Sequence, residues 1–168
     1  MTRHARPTLL AALALLLLPV TASARELRHP ASGEPAFTMT VPDDWTAVTV
    51  DGGRSLSIAS ADRRIGFALT IAPTDQSPEE IAKSAVTASK GTQLETKPTS
   101  ISGIAGQSYS WIYVNAGGIK LHATMVLVQL DNKWLASCTG LEVDGNSPAD
   151  HQRAETAMQS VKLVKGAK

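Results

Sequence analysis

Cysteine is nearly absent: Cys138 is the only one in 168 residues. An internal disulfide is therefore excluded, and a chain exported to an oxidising compartment must be held together by its core alone. Aromatic residues make up only 4%, so the position of each ring is informative. Neither sign of charge dominates, with 16 Lys and Arg against 15 Asp and Glu. No basic stripe marks a nucleic-acid surface, and no like-charge block marks an electrostatic tail. Metal-ligand spacings are missing as well: there is no His-x-x-x-His, Cys-x-x-Cys or carboxylate-rich loop. Neither a Gly-x-Ser-x-Gly elbow nor a Ser-x-x-Lys nucleophile motif occurs. The reading is of a protein with no catalytic residues, no metal site and no cofactor.

What is present begins with an address. Arg3 and Arg6 precede an apolar run from Leu9 to Leu18, and Pro19 breaks that run ahead of Ala22-Ser23-Ala24. Positive charge, a short apolar stretch and small residues in this order make a secretory signal, cut between Ala24 and Arg25. The apolar run is about half the roughly 20 residues that a membrane span needs. No cysteine lies near the cut, so acylation there is excluded. The expectation is a periplasmic or secreted protein without a stable membrane anchor.

Four parts follow from the punctuation of the chain: a signal over 1–24, an irregular segment over 25–35, one domain over 36–164 and a basic tail over 165–168. Phe37, Met39 and Val41 alternate with threonines until Pro42, which predicts a strand. Further strands are predicted through Val48 and Val50, from Leu56, and over Ile65 to Ile71, where the alternation is clean. Ser77-Pro78-Glu79-Glu80 reads as a helix start with a capping box, and Ile81, Ala82, Ala85 and Val86 follow at helical spacing up to Gly91. Leu94 to Ile101 is read as an edge strand, because Pro98 has no donor for a central ladder. Strands over Gln107–Asn115, Ile119–Leu130 and Trp134–Leu141 form two hairpins, and Ser147-Pro148 starts a second helix. The fold class is α+β: an antiparallel sheet of about six to seven strands flanked by two main helices.

The candidate binding residues come from the hairpin register. A two-residue turn at Ala116-Gly117 places Tyr109, Trp111, Tyr113, Lys120 and His122 on one face, opposite an aliphatic face of Ile112, Val114, Leu121 and Leu127. The same assumption at Asp131-Asn132 sets Cys138 opposite Met125, as a small buried hydrophobe with an inert thiol. A three-residue loop at either place reverses the parity, because side chains alternate strictly. The aromatic stripe has two readings: burial beneath an alanine-faced helix, or an exposed contact surface of the kind rich in Tyr and Trp.

The run Phe37-Thr38-Met39-Thr40-Val41-Pro42-Asp43-Asp44-Trp45 resembles the opening of the PsbP-like group, which includes DcrB-like bacterial envelope proteins. The element order is similar over roughly Pro35 to Val164. The resemblance implies an α/β/α sandwich and no catalysis. Proteins of this group act as extrinsic subunits, adaptors, small-GTPase binders or envelope proteins, and they offer no catalytic residues to carry over. Many bacterial members carry a lipidated cysteine, which this chain lacks.

These readings converge on a non-catalytic envelope protein that binds another protein. An immunity protein against a periplasm-acting toxin is one specific form of it. The alternatives are a small-molecule or ion carrier using Trp111, Tyr113 and His122, and a hydrolase whose catalytic groups are dispersed along the chain.

Overall fold

The computed structural model describes residues 23–131 and 133–164. The expected signal up to residue 22, Asn132 of the second hairpin loop and the basic tail over 165–168 lie outside them. Among the described residues the strands and α-helices run in the order β1 (Ala24–His29), β2 (Ala36–Pro42), β3 (Thr46–Val50), β4 (Ser55–Ala59), β5 (Ile65–Pro73), α1 (Pro78–Ser89), β6 (Thr92–Ile101), β7 (Ile104–Val114), β8 (Lys120–Gln129), β9 (Trp134–Val143), α2 (Pro148–Gln159) and β10 (Lys162–Val164), with a 3-10 turn at Asp51–Gly53 between β3 and β4. Seven strands form one antiparallel sheet, ordered β3-β4-β5-β9-β8-β7-β6, and three form a second, ordered β1-β2-β10. This matches the expected α+β sandwich. No helix among the described residues is long and apolar enough to cross a membrane.

Two expectations fail in detail. Of the segment over 25–35, expected to be irregular, only 30–35 is: up to His29 the chain forms β1 and pairs along β2, with Arg25 opposite Val41 and His29 opposite Phe37. Its sequence hides this because Leu27 is the only large aliphatic side chain in the strand, so no alternation stands out. In addition, β2 lies outside the large antiparallel sheet, in the three-stranded one. Ala36, Phe37, Met39 and Val41 are all buried, since β2 sits centrally in the small sheet and is packed over the large one.

The layers follow from two cores. Between the sheets, Phe37, Met39 and Trp45 from the small-sheet side meet Ile58, Phe67, Leu69, Val126 and Cys138 of the large sheet, with Ala157 of α2 closing the cluster. Each such large side chain contributes about 1.5–3 kcal/mol by leaving water. On the other side of the large sheet, Ala82 of α1 packs with Tyr109, Trp111, Ala123, Leu127 and Leu135. The layers are thus α1, the seven-stranded sheet, then α2 side by side with the three-stranded sheet.

Both helices start where the Ser-Pro pairs predict. Ser77 Oγ accepts from the Glu80 amide at 3.3 Å while the Glu80 carboxylate accepts from the Ser77 amide at 2.8 Å, so two orphan donors are satisfied reciprocally. Ser147 Oγ accepts from the Asp150 amide at 3.2 Å. At the far end of α1 the left-handed residue is Lys90, φ 54°, one position before the glycine that the sequence suggests. Strand β6 is the edge strand expected around Pro98.

Candidate functional site

The β7–β8 loop decides which side chains share a face. The Asn115 amide donates to Ile119 O at 2.9 Å, so three residues, not two, span the turn. Asn115 Oδ1 accepts from the Gly117 and Ile119 amides at 2.9 and 3.0 Å, and Gly118 takes φ +77°, a conformation that costs glycine little. Trp111 consequently faces Ala123, Ile112 faces His122, and Tyr113 faces Leu121. The expected five-residue face is therefore split. Tyr109, Trp111 and Tyr113 point toward α1, whereas Lys120 and His122 lie on the opposite surface.

The aromatic half of that face belongs to the core. Tyr109 and Trp111 are 4% and 5% exposed, which removes them as a contact surface. Trp111 Nε1 donates to Ser89 Oγ of α1 at 3.0 Å, and Ser89 Oγ donates to Ala85 O at 2.9 Å. Tyr113 is half-buried against the same cluster. Burial pushes both phenols above their ordinary value of 10.0.

The β8–β9 loop repeats the parity change. Asp131 Oδ1 accepts from the Lys133 and Trp134 amides at 2.8 and 2.9 Å, and Leu130 N donates to Trp134 O at 2.9 Å. Cys138 therefore stands opposite Val126 rather than Met125. It remains fully buried, and burial pushes its thiol up to about 12. A thiol held in that state is neither a nucleophile nor a metal ligand.

Lys120 and His122 instead join a polar groove on the α2 side. His122 of β8 stands directly opposite Glu142 of β9. Its Nε2 lies 2.6 Å from Asp144 Oδ1, and Lys120 Nζ lies 3.4 Å from Asp144 Oδ2. The hydrogen bond from His122, with Lys120 beside it, holds the Asp144 carboxyl below its ordinary value of 3.8. His151, in the first turn of α2, places Nδ1 3.1 Å from Glu142 Oε2. The loop that carries Asp144 is pinned by Asn146, whose Oδ1 accepts from Arg64 Nε at 2.6 Å and whose Nδ2 donates to Glu142 Oε1 at 3.3 Å.

Two hollows meet at these residues. One, about 460 Å³, extends toward Glu95 of β6 over Ser110 and Ile112. The other, about 340 Å³, runs along α2 over Phe67, Ala154 and Met158. His122, Thr124, Glu142 and His151 line both, so the two form one continuous open groove. Gly140 keeps its floor low: a Cβ there would lie 2.9 Å from Met158 Cε and 3.1 Å from Phe67 Cε1.

Two imidazole–carboxylate pairs can accept or donate protons and hydrogen bonds. The Ser110 hydroxyl, however, pairs with Thr124 Oγ1 at 3.2 Å rather than with an imidazole. No group of three or more His, Cys, Asp or Glu side chains among the described residues is arranged to hold a metal ion. Sequence reasoning missed Glu142, Asp144 and His151. His122 was singled out, yet its true neighbours come from β9 and α2, which only the tertiary fold brings to it.

No family model matches the sequence, and no curated protein matches it in sequence. Solved structures are similar in fold. Cyanobacterial PsbP from Synechocystis sp. PCC 6803 superposes with TM-score 0.61 at 14% identity, over 85% of this chain and 94% of its own. LpqN, involved in cell envelope biogenesis of Mycobacterium tuberculosis, gives 0.55 at 14% identity, over 84% and 91%. The Ran-binding protein Mog1p of Saccharomyces cerevisiae gives 0.54 at 12% identity, over 85% and 97%. At such identities the likeness establishes the fold alone: the chain has the PsbP-like fold.

Proposed function

We propose that this chain is a non-catalytic protein of the bacterial envelope that binds another protein through the groove between α2 and strands β7–β9. The observation that carries the reading is the convergence of His122, Glu142, Asp144 and His151 from three elements around one open trough. Side chains that merely solubilise a surface have no reason to line a hollow with an apolar floor. The absence of a hydroxyl or thiol on either imidazole among the described residues supports a binding rather than a catalytic role. Two proteins of similar fold, one described as involved in envelope biogenesis and one as Ran-binding, add general support. The signal pattern read in residues 1–24 supports delivery to the periplasm or beyond. The test is affinity capture from the envelope fraction with the protein and with a His122→Ala, Glu142→Gln variant. The variant is expected to lose the captured partner while melting unchanged. Equal capture by both refutes the reading.

A second reading, a small-molecule carrier, has one observation in its favour: the apolar stretch of the groove over Phe67, Ala154 and Met158. It no longer involves Trp111 and Tyr113, which face α1. A carrier is stabilised thermally by its ligand through mass action, so a screen of envelope extracts for a raised Tm separates the two readings.

A further inference from the structure

We infer that the groove recognises a basic side chain, lysine or arginine, presented on an exposed segment of the partner. This rests on the protein-binding reading above and names the chemistry of its partner. Four carboxylates, Glu95, Glu142, Asp144 and Glu155, line the two hollows, and neither a lysine nor an arginine does. Lys97 lies 3.3 Å from Glu95 and Lys120 3.4 Å from Asp144, so each offsets one carboxylate, while Arg64 is bonded to Asn146 and Gly145 of the lining and not to a carboxylate. Among the described residues Glu142 and Glu155 have no lysine or arginine partner. Glu142 occupies the junction of the two hollows, and its side chain is only 20% exposed. A carboxylate so placed is screened less than one on an open surface.

The shape of the groove selects among cations. Lysine and arginine carry a charged head on an apolar stem, and the stem gains by lying on apolar surface. Phe67, Ala154 and Met158 supply that surface next to Glu142 and Glu155. Gly140 keeps that surface clear, since a Cβ there would meet Met158 Cε at 2.9 Å and Phe67 Cε1 at 3.1 Å. A lysine or arginine head can donate to Glu142 in place of His151 Nδ1, which lies 3.1 Å from Oε2, while Asn146 keeps its hold on Oε1 and the added donor carries full charge. The groove stays open toward β6 rather than closing over its contents, whereas metabolite sites bury most of a ligand's surface. A side chain delivered by a protein segment suits that openness. Phosphates and acidic segments would face four carboxylates.

The experiment is a titration of the 15N-labelled protein, followed by amide chemical shifts, with a blocked hexapeptide containing arginine. The control peptide has glutamate in place of each arginine. Saturable shifts are expected at Gly140, Glu142, Asp144 and His151 with the arginine peptide and none with the glutamate peptide. Glu142→Gln should weaken the Kd about tenfold or more, the usual effect of losing a hydrogen bond to a charged group. Glu155→Gln should weaken it less, and Lys97→Gln should not weaken it at all. Three results overturn the inference: equal binding of both peptides, shifts confined to the α1 face, or an unchanged Kd in Glu142→Gln with the fold intact. Tighter binding of a free diamine than of the peptide also overturns it and assigns the groove to a small organic cation. If the groove variant loses a captured partner but the arginine peptide does not bind, the basic side chain is wrong and the protein-binding reading stands. If the peptide binds as expected and no partner is captured, the protein-binding reading fails instead.

Discussion

The two faces of the large sheet, over strands β7 to β9, do opposite things with alternate residues of the same strands. Toward α1, Tyr109, Trp111, Leu127 and Leu135 are sealed under a short helix capped at its start. Toward α2 the surface begins as core at Val126 and Cys138 and then opens, past Gly140, into the groove of His122, Glu142 and Asp144. The closed face holds rings and aliphatic side chains, and the open one holds paired charges over a low floor. The difference shows that the rings of β7 serve stability, and that the proposed recognition chemistry rests mainly on charged side chains of β8, β9 and α2.

Truncating the closed face should cost most. Trp111→Ala is expected to destabilise the fold by about 3–5 kcal/mol, the usual loss for a buried aromatic, read from denaturant midpoints. Gly140→Ala acts on the boundary between core and groove, pressing on Met158 and Phe67. It should cost about 1–3 kcal/mol as an overpacked site and weaken groove binding as well. Ser77→Ala removes half of the α1 capping box and should cost about 1 kcal/mol, with groove binding unchanged. His122→Ala, on the open face, should change stability by less than about 1 kcal/mol, as exposed ion pairs do, yet abolish partner capture. A large stability loss there would make the groove structural and erase the contrast between the faces.

The smallest effect concerns pH. The Asp144 carboxyl is held below 3.8 in the folded protein by His122 and Lys120. A folded pKa below the unfolded one adds stability above the unfolded value, and that stability is lost as pH falls through the folded one. Protein and Asp144→Asn variant should therefore differ slightly in Tm at neutral pH and converge in acid below 3.8. Divergence in acid would contradict the assignment of this pair.

Legibility followed the range of the interaction. The two helix starts are local, written in Ser77-Pro78 and Ser147-Pro148, and the structure has them where the sequence predicts. The edge position of β6 is likewise local, because Pro98 forbids a central strand. The hairpin parity turned on one residue per loop. Asn115 and Asp131 fold their side chains back onto the turn amides, and a three-residue loop replaces the shorter one. That single change moved Trp111 into the core and His122 out of its company. Strand β1 stayed hidden because its partner, β2, supplies nearly all of the burial. The groove was illegible for a different reason: Glu142, Asp144 and His151 reach His122 only after β9 and α2 have packed.

The most direct test compares partner capture by three forms of the protein with equal Tm. These are the unaltered chain, the His122→Ala, Glu142→Gln groove variant, and Lys83→Ala on the exposed side of α1, where Lys83 pairs with surface Glu79 at 2.7 Å. The groove variant should lose the partner and the Lys83 variant should keep it. Capture retained by the groove variant, or lost with Lys83→Ala, would contradict the division of labour between the two faces.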